Sequence, residues 1–393
     1  MRVALHTPFV VQQNTGIARY IFGLLRGLAA VDRETEYVCF WPSNAPWPAA
    51  DLPPNFSAVP LTIAGGNPVA RVLKEQRWMR DVYRQQPFDV IHSPFGYLPP
   101  RLPAPSVVTI HDCRWRRYPR TFSRLRGQFL RWAMPASIRR ARVTLASSHA
   151  TQQEIFSLVK RAPGPDRVRV AYPGVDERWF TPVNRQTVAD VRRRLDLPAR
   201  FVLAVSTREP HKNLPRLLDA FAQLRQGDAH IRLVLAGATF ATGRSDDVGQ
   251  IISRLGLKDV TQSLGIVDDV DLPGVYAAAS VFAFPSLYEG FGYPPLESMA
   301  VGTPVVTSRA SCLPEVCGET AAELADPLDP ADIARALVRV LTDEARQAEM
   351  TAAGPARAAR YRWDEHARAV IAAYRDAAAS TPTRAGTSDS ART

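Results

Sequence analysis

No apolar run in the 393-residue chain approaches the ~20 residues that a membrane-spanning helix needs, so no span is predicted. The start, Met1-Arg2-Val3-Ala4-Leu5-His6-Thr7-Pro8, lacks the apolar core and small-residue cleavage site of a signal peptide, and a cytoplasmic location is expected. Cysteine is scarce. The four present, Cys39, Cys113, Cys312 and Cys317, form no C-x-x-C pair and no zinc spacing, which reads as buried free thiols in a reducing compartment. No G-x-G-x-x-G opens either half, which argues against a dinucleotide-dependent dehydrogenase. No repeat of solenoid length is visible. Acidic residues are in deficit, 38 against 49 Lys and Arg, for a net charge of +11. Charge alone leaves nucleic acid, anionic lipid and phosphorylated substrates open as partners.

What is there describes a packed α/β protein. Hydrophobic residues make up 46% and charged residues 22% of the chain. Its length exceeds the ~250–300 residues at which one core stops growing, so two domains are expected. Short β-branched runs alternate with helical patterns in both halves, the signal for parallel sheets covered by helices. The first series is Val3–Thr7, Tyr37–Trp41, Val90–Ser93, Val107–His111, Val143–Ser147 and Val168–Tyr172, with a helix over Ile17–Ala30 after the turn Asn14-Thr15-Gly16. The second is Phe201–Ser206, Ile231–Ala236, Val260–Leu264, Val281–Pro285 and Val305–Thr307. The polar stretch Phe180–Gln186, with Pro182, marks the join. Domains are expected over 1–183 and 184–378, with 379–393 a disordered tail poor in large apolar residues.

Doubly wound sheets bind ligands at the carboxyl ends of their strands, and the most informative segment follows the strand Val281–Pro285. In Tyr288-Glu289-Gly290-Phe291-Gly292-Tyr293-Pro294-Pro295-Leu296-Glu297, two carboxylates eight residues apart bracket a Gly-rich turn. Pro294 or Pro295 suits the first turn of a helix. Glu289 is therefore expected in the loop and Glu297 about one turn into the helix, both facing one ligand. Glycine amides and the helix start add donors for a phosphate or a hydroxyl-rich group. Directly after the strand Phe201–Val205 comes Arg208-Glu209-Pro210-His211-Lys212-Asn213, where a cation can meet a diphosphate leaving group.

These segments resemble the retaining glycosyltransferases with the GT-B fold, usually numbered family 4, whose signature is E-x7-E in a strand, loop and helix context. The likeness extends over Phe284-Pro285-Ser286 and over Ser298-Met299-Ala300-Val301-Gly302-Thr303-Pro304. The resemblance implies two Rossmann-like doubly wound domains facing a central cleft. It implies that Glu289 binds donor sugar hydroxyls, that Glu297 binds the ribose hydroxyls and that Lys212 binds the diphosphate. His211 stands where the family carries an arginine beside that lysine, and Arg208 is the candidate to replace it. Gly290, Phe291 and Gly292 complete the donor loop. In the first half, Asn14-Thr15-Gly16-Ile17-Ala18-Arg19-Tyr20 resembles the family's G-G-I-x-R-Y turn, and only Gly16 carries over as a diphosphate-approaching glycine. His111-Asp112 resembles the family's H-D pair, whose histidine faces the sugar; Ser147-Ser148 also fits, although such serines commonly cap helices.

Asp269-Val270-Asp271 is formally the D-x-D of metal-dependent glycosyltransferases, but its place ahead of a helix reads as an N-cap, and no divalent site and no cofactor are expected. The segment Arg114–Arg142 interleaves arginines with Trp115, Tyr118, Phe122, Phe129 and Trp132 and holds no acidic residue. No nucleic-acid motif accompanies it, and contact with an anionic membrane, with Trp115 and Trp132 as apolar anchors, is the reading preferred over a solvated face. The combination of T-G-I-x-R-Y, P-x-K-N and Glu-Gly-Phe-Gly-Tyr-Pro-Pro is similar to mannosyltransferases of polysaccharide and O-antigen assembly. GDP-mannose is the donor so implied, with UDP- or dTDP-sugars as alternatives and a glycan or lipid-linked oligosaccharide as acceptor. A nucleotide-sugar 2-epimerase on the same architecture and a basic nucleic-acid-binding module are the rivals.

Overall fold

The structure, a computed structural model, describes residues 1–7, 16–61, 77–78, 80–98, 101–102, 104–237 and 246–379. Strands β1 (Arg2–His6), β2 (Glu36–Pro42), β3 (Phe56–Leu61), β4 (Val90–Ser93), β5 (Ser106–Ile110), β6 (Val143–Ala146) and β7 (Val168–Val170) form one sheet, in the order β3-β2-β1-β4-β5-β6-β7. Strands β8 (Phe201–Val205), β9 (Arg232–Ala236), β10 (Thr261–Gly265), β11 (Val281–Phe284), β12 (Val305–Ser308) and β13 (Ala322–Ala325) form the other, in the order β10-β9-β8-β11-β12-β13. Every pairing is parallel. Parallel neighbours require crossovers, and the helices that make them cover both faces, so the central strands read as apolar runs such as Val281-Phe282-Ala283-Phe284.

Strand order reverses between β1 and β4 in the first sheet and between β8 and β11 in the second. The loops leaving β8 and β11 therefore lie side by side, the crevice where such sheets take ligands. A backbone bond from Leu287 N to His211 O, 2.7 Å, ties the two loops together.

The segment between the sheets passes through a 3-10 turn at Glu177–Phe180 and a helix at Arg185–Arg194, on either side of the predicted join. The final helix, Trp363–Ala379, leaves the second domain and packs on the helix Gly16–Val31 of the first. Val370, Ile371 and Tyr374 enter the first domain's core beside Leu24, Leu28 and Tyr37. Glycine makes the approach close: a Cβ at Gly23 would stand 2.0 Å from the Trp363 ring, and one at Gly27 2.3 Å from the Trp363 carbonyl oxygen. The helix runs past Tyr374 to Ala379, and the rest of the predicted tail lies outside the described residues.

The basic segment folds as short turns over Arg114–Arg117 and Pro119–Thr121 and a helix over Arg124–Arg140. Trp115 is a correction to the membrane reading: at 3% exposure it packs in the core with Ile110, Met134 and Ile138, not at a surface. The long helix buries Gly127, Ala133, Met134, Ser137 and Ile138, which leaves Leu125 at 53% and Trp132 at 57% exposure on the opposite side.

Candidate active site

Lys212 closes a single 3-10 turn, Pro210–Lys212, after β8. The next residue, Asn213, has φ of +62°, a left-handed conformation that asparagine tolerates better than most side chains. Its buried amide donates to Pro285 O at 2.9 Å and to Pro327 O at 2.7 Å, which fixes the end of the turn against the loop after β11. Lys212 Nζ then reaches Glu289 Oε1 at 2.7 Å and lies 5.1 Å from the centre of the Phe284 ring. Ser286 Oγ sits 2.7 Å from the same carboxylate oxygen. Ser311, itself left-handed with φ of +57°, accepts from Glu289 N at 3.2 Å and donates back to Glu289 O at 2.5 Å. Carboxylate and ammonium are mostly covered, at 13% and 15% exposure, so water screens their attraction only partly.

His211 is 3% exposed, and burial together with the Lys212 and Arg114 charges pushes its pKa down to about 2. It is therefore neutral and supplies no second cation. Arg208 is half-buried in the same loop. Arg114, from the first domain, arrives instead: its Nη1 lies 3.0 Å from both oxygens of Glu209. Its pKa is lowered by burial and raised by Asp112, Glu209 and Glu289, for a net rise.

The two domains meet backbone to backbone at Gly290. A Cβ there would stand 1.7 Å from His111 O. Ser148 Oγ lies 2.8 Å from Gly290 O, and Ser147 Oγ lies within donating distance of both His111 O, 2.6 Å, and Gly290 O, 2.8 Å. Ser148 also accepts from Thr151 N as the N-cap of the helix His149–Leu158. Glu315 of the second domain takes the first two amides of that helix, His149 N at 2.7 Å and Ala150 N at 3.0 Å. His111 itself bonds through Nε2 to Pro94 O at 2.7 Å and meets the Tyr20 ring edge-on, with centroids 4.4 Å apart. Burial lowers its pKa, against a smaller opposing pull from Pro94 O and Asp112, and favours the neutral ring.

Gly292, at φ +95°, turns the chain into the helix Tyr293–Ala300, and Phe291 packs into the core against Tyr361. Glu297 sits in that helix as the spacing predicts, yet its carboxylate does not stand beside Glu289's partners. It is 2% exposed and takes Arg19 Nη1 at 2.7 Å and the Tyr276 hydroxyl at 3.2 Å. Gly16 begins the helix that carries Arg19, with nothing packed where a Cβ would be; Asn14 and Thr15 lie outside the described residues.

The expected N-cap at Asp269-Val270-Asp271 is also corrected. Asp271 occupies the cap position without a side-chain bond to the helix; its carboxylate pairs with Arg194. Asp269 is held between Arg19, 3.3 Å, and Arg178, 3.2 Å. Three neighbouring arginines, Arg19, Arg178 and Arg194, outcompete a single amide for these carboxylates, because a charged donor binds about twice as strongly as a neutral one.

Family models match both halves: Glycosyltransferase Family 4 over residues 14–179 and Glycosyl transferases group 1 over residues 189–357. The O-antigen chain mannosyltransferase B of Escherichia coli is 31% identical over 303 residues, covering 77% of each chain. The chain belongs to glycosyltransferase family 4. The D-inositol 3-phosphate glycosyltransferase of Salinispora tropica is 35% identical over 249 residues, 60% of this chain and 51% of that one. Among solved structures, sucrose-phosphate synthase from Thermosynechococcus elongatus superposes with a TM-score of 0.80 at 22% identity, over 97% of this chain and 100% of the other. The Anabaena protein HepE in complex with UDP and glucose gives 0.76 at 19% identity, over 95% and 98%. The fold is GT-B.

Three charged groups that the sequence did not single out line this transferase's cleft: Arg19, Arg114 and Glu209. Arg19 was visible within the G-I-x-R-Y turn, but its partner Glu297 lies 278 residues away. Arg114 and Glu209 are 95 residues apart, and nothing in local spacing joins them.

Proposed function

We propose that the enzyme transfers mannose from GDP-mannose, with retention and without a metal ion, to a glycan or lipid-linked acceptor. The observation that carries this reading is the Lys212–Glu289 pair at the strand-order switch of the second domain, backed by Ser286. Ammonium and carboxylate neutralise each other across 2.7 Å. A nucleotide sugar satisfies both at once: the diphosphate takes Lys212, and the sugar hydroxyls donate to Glu289, which has lone pairs to accept them. Arg114 adds a second positive charge from the acceptor side. Positive charge fixed where the leaving diphosphate gains negative charge stabilises the transition state more than the ground state.

Retention is favoured by the family 4 likeness, and the contact that Glu289 makes argues against double displacement through that carboxylate. A protein nucleophile for double displacement must attack opposite the leaving group, whereas Glu289 touches the lysine assigned to that group. Transfer on the front face then lets the departing diphosphate oxygen receive the acceptor hydroxyl's proton as the new glycosidic bond forms. Metal-free action is supported by Asp269 and Asp271, both committed to arginines. Mannose is favoured by the likeness to the O-antigen chain mannosyltransferase B of Escherichia coli, and GDP is the carrier implied by the likeness of the motifs to mannosyltransferases.

The test is transfer from GDP-[14C]mannose to a lipid-linked acceptor extract in excess EDTA, with the anomeric configuration of the product read by NMR. An α-mannoside formed at the metal-replete rate is expected. Release of GDP that needs no acceptor would indicate a 2-epimerase, and loss of activity restored only by Mn²⁺ would return Asp269 and Asp271 to a metal role.

A further inference from the structure

Glu297 is the most deeply buried carboxylate in the cleft, and the group that neutralises it comes from the other domain. Arg19 projects from the helix Gly16–Val31 of the first domain and meets Glu297 Oε1 at 2.7 Å, while its second Nη holds Asp269. Among the described residues, the charged or titratable groups that act on Glu297 form one cluster: Arg19 from the first domain, Arg178 from the segment between the sheets, Asp269 from the loop after β10, Tyr276 from the helix Leu272–Ala278 and Tyr293 from the start of Glu297's own helix. The cluster is also short of partners. Arg19 Nε, Arg178 Nε and the Tyr293 hydroxyl are buried with no hydrogen-bond partner. Buried donors left unpaired are costly, and several around one carboxylate mark a place where a polar ligand completes the bonding.

We propose that Arg19 is a positioning residue for Glu297: reaching across the cleft, it holds the ribose-binding carboxylate ionised and in place, so the nucleotide subsite is complete only when the domains are closed. This rests on the reading of the cleft as a nucleotide-sugar site. Burial is the largest influence and on balance raises the pKa of Glu297, and Arg19 is the largest influence opposing that rise. A neutral carboxyl accepts more weakly than a carboxylate, so a ribose diol binds well only while the arginine is there. With the first domain moved away, Glu297 loses the guanidinium that holds its carboxylate in place for the ribose diol. Donor binding and domain closure are thereby coupled, since each favours the other.

The experiment is titration calorimetry with GDP-mannose and UDP-glucose between about pH 6 and pH 9, for wild type, Arg19→Gln, Arg19→Lys and the double variant Arg19→Gln/Glu297→Gln. Without the cation, the pKa of Glu297 is expected to rise further, so the carboxyl is protonated to a greater extent at the acid end of this range than in wild type. The Arg19→Gln variant should therefore bind the better of the two ligands at least about tenfold more weakly than wild type at pH 6, with the gap closing to within about threefold at pH 9. Arg19→Lys should restore most of the affinity, and the double variant should lose the pH dependence. A gap of constant size across the range, or no gap, would overturn the proposal, because a direct contact or a purely structural role has no reason to titrate. Wild type that binds neither ligand would instead bring down the nucleotide-site reading, and this inference with it.

Discussion

Lys212 and Glu289 illustrate how little of a site is a property of single residues. Each is legible as a candidate from its motif, and the 2.7 Å contact between them explains why both are tolerated in a mostly covered cleft. Removing either leaves the other uncompensated. Lys212→Ala and Glu289→Gln should each lower kcat/KM at least about tenfold, roughly 1.4 kcal/mol of barrier, and the double variant should lose less than the sum because the residues are in contact. Steady-state kinetics on the three variants, with circular dichroism to verify folding, decides it; full additivity would mean that the two act apart. His211 was less legible. It stands where the family carries an arginine, and burial beside Lys212 and Arg114 keeps it neutral, which no sequence spacing reports.

At the scale of elements, most strands of both sheets were readable because a strand buried on both faces must be an apolar run. The two that were not, β3 and β13, lie at sheet edges. Phe56-Ser57-Ala58-Val59-Pro60-Leu61 contains a proline, which only an edge tolerates, and Ala322-Glu323-Leu324-Ala325 is made of residues that favour helices. The loop after β11 was readable too, but not the reason for its glycine. Gly290 is needed because the first domain's backbone occupies the space of a side chain. Gly290→Ala should therefore hinder closure, cut kcat by about tenfold or more and, because donor binding and closure favour each other, weaken nucleotide binding as well. Wild-type kcat and wild-type nucleotide affinity in this variant would mean that the close approach at Gly290 does not limit closure.

The helix Arg124–Arg140 carries a further expectation. Leu125 and Trp132, seven residues apart, share one exposed side with Arg124 and Arg131 alongside. Such a surface suits the headgroup level of an anionic membrane, where each basic residue adds ~1 kcal/mol and the attraction is screened by salt. Co-sedimentation with anionic liposomes should exceed that with neutral ones, fall with salt, and fall again in a Leu125→Ser/Trp132→Ser variant. Equal binding to both liposome types would leave the helix as a solvated face and point to a water-soluble acceptor.

Across the whole molecule, a buried polar chain ties the final helix to the first domain. Tyr374 meets His92 at 2.7 Å, His92 meets Thr109 at 2.9 Å, Thr109 meets Tyr20 at 3.2 Å, and Tyr20 meets His366 at 2.8 Å. Burial drives His92 to a pKa of about 3 and His366 to about 4. In the unfolded chain both return to about 6.5, so below that pH the unfolded state binds more protons than the folded one. Stability is thus fully present above about pH 6.5 and is lost as the pH falls, at up to about 1.4 kcal/mol per pH unit for each histidine. Urea midpoints measured from pH 7.5 to 5 should decline on the acid side, and His366→Gln should remove about one proton from that slope; an unchanged slope would mean that His366 is not held neutral in the folded state.

The central claim is that the switch-point crevice of the second domain binds a nucleotide sugar through Lys212. Thermal denaturation with GDP-, UDP- and dTDP-sugars tests it most directly, because a ligand that binds only the folded state raises the melting temperature. GDP-mannose should stabilise the wild type most, and the Lys212→Ala variant should lose most of that shift, measured against its own melting temperature without ligand. No stabilisation by any nucleotide sugar, or the same shift in Lys212→Ala as in wild type, would contradict the account.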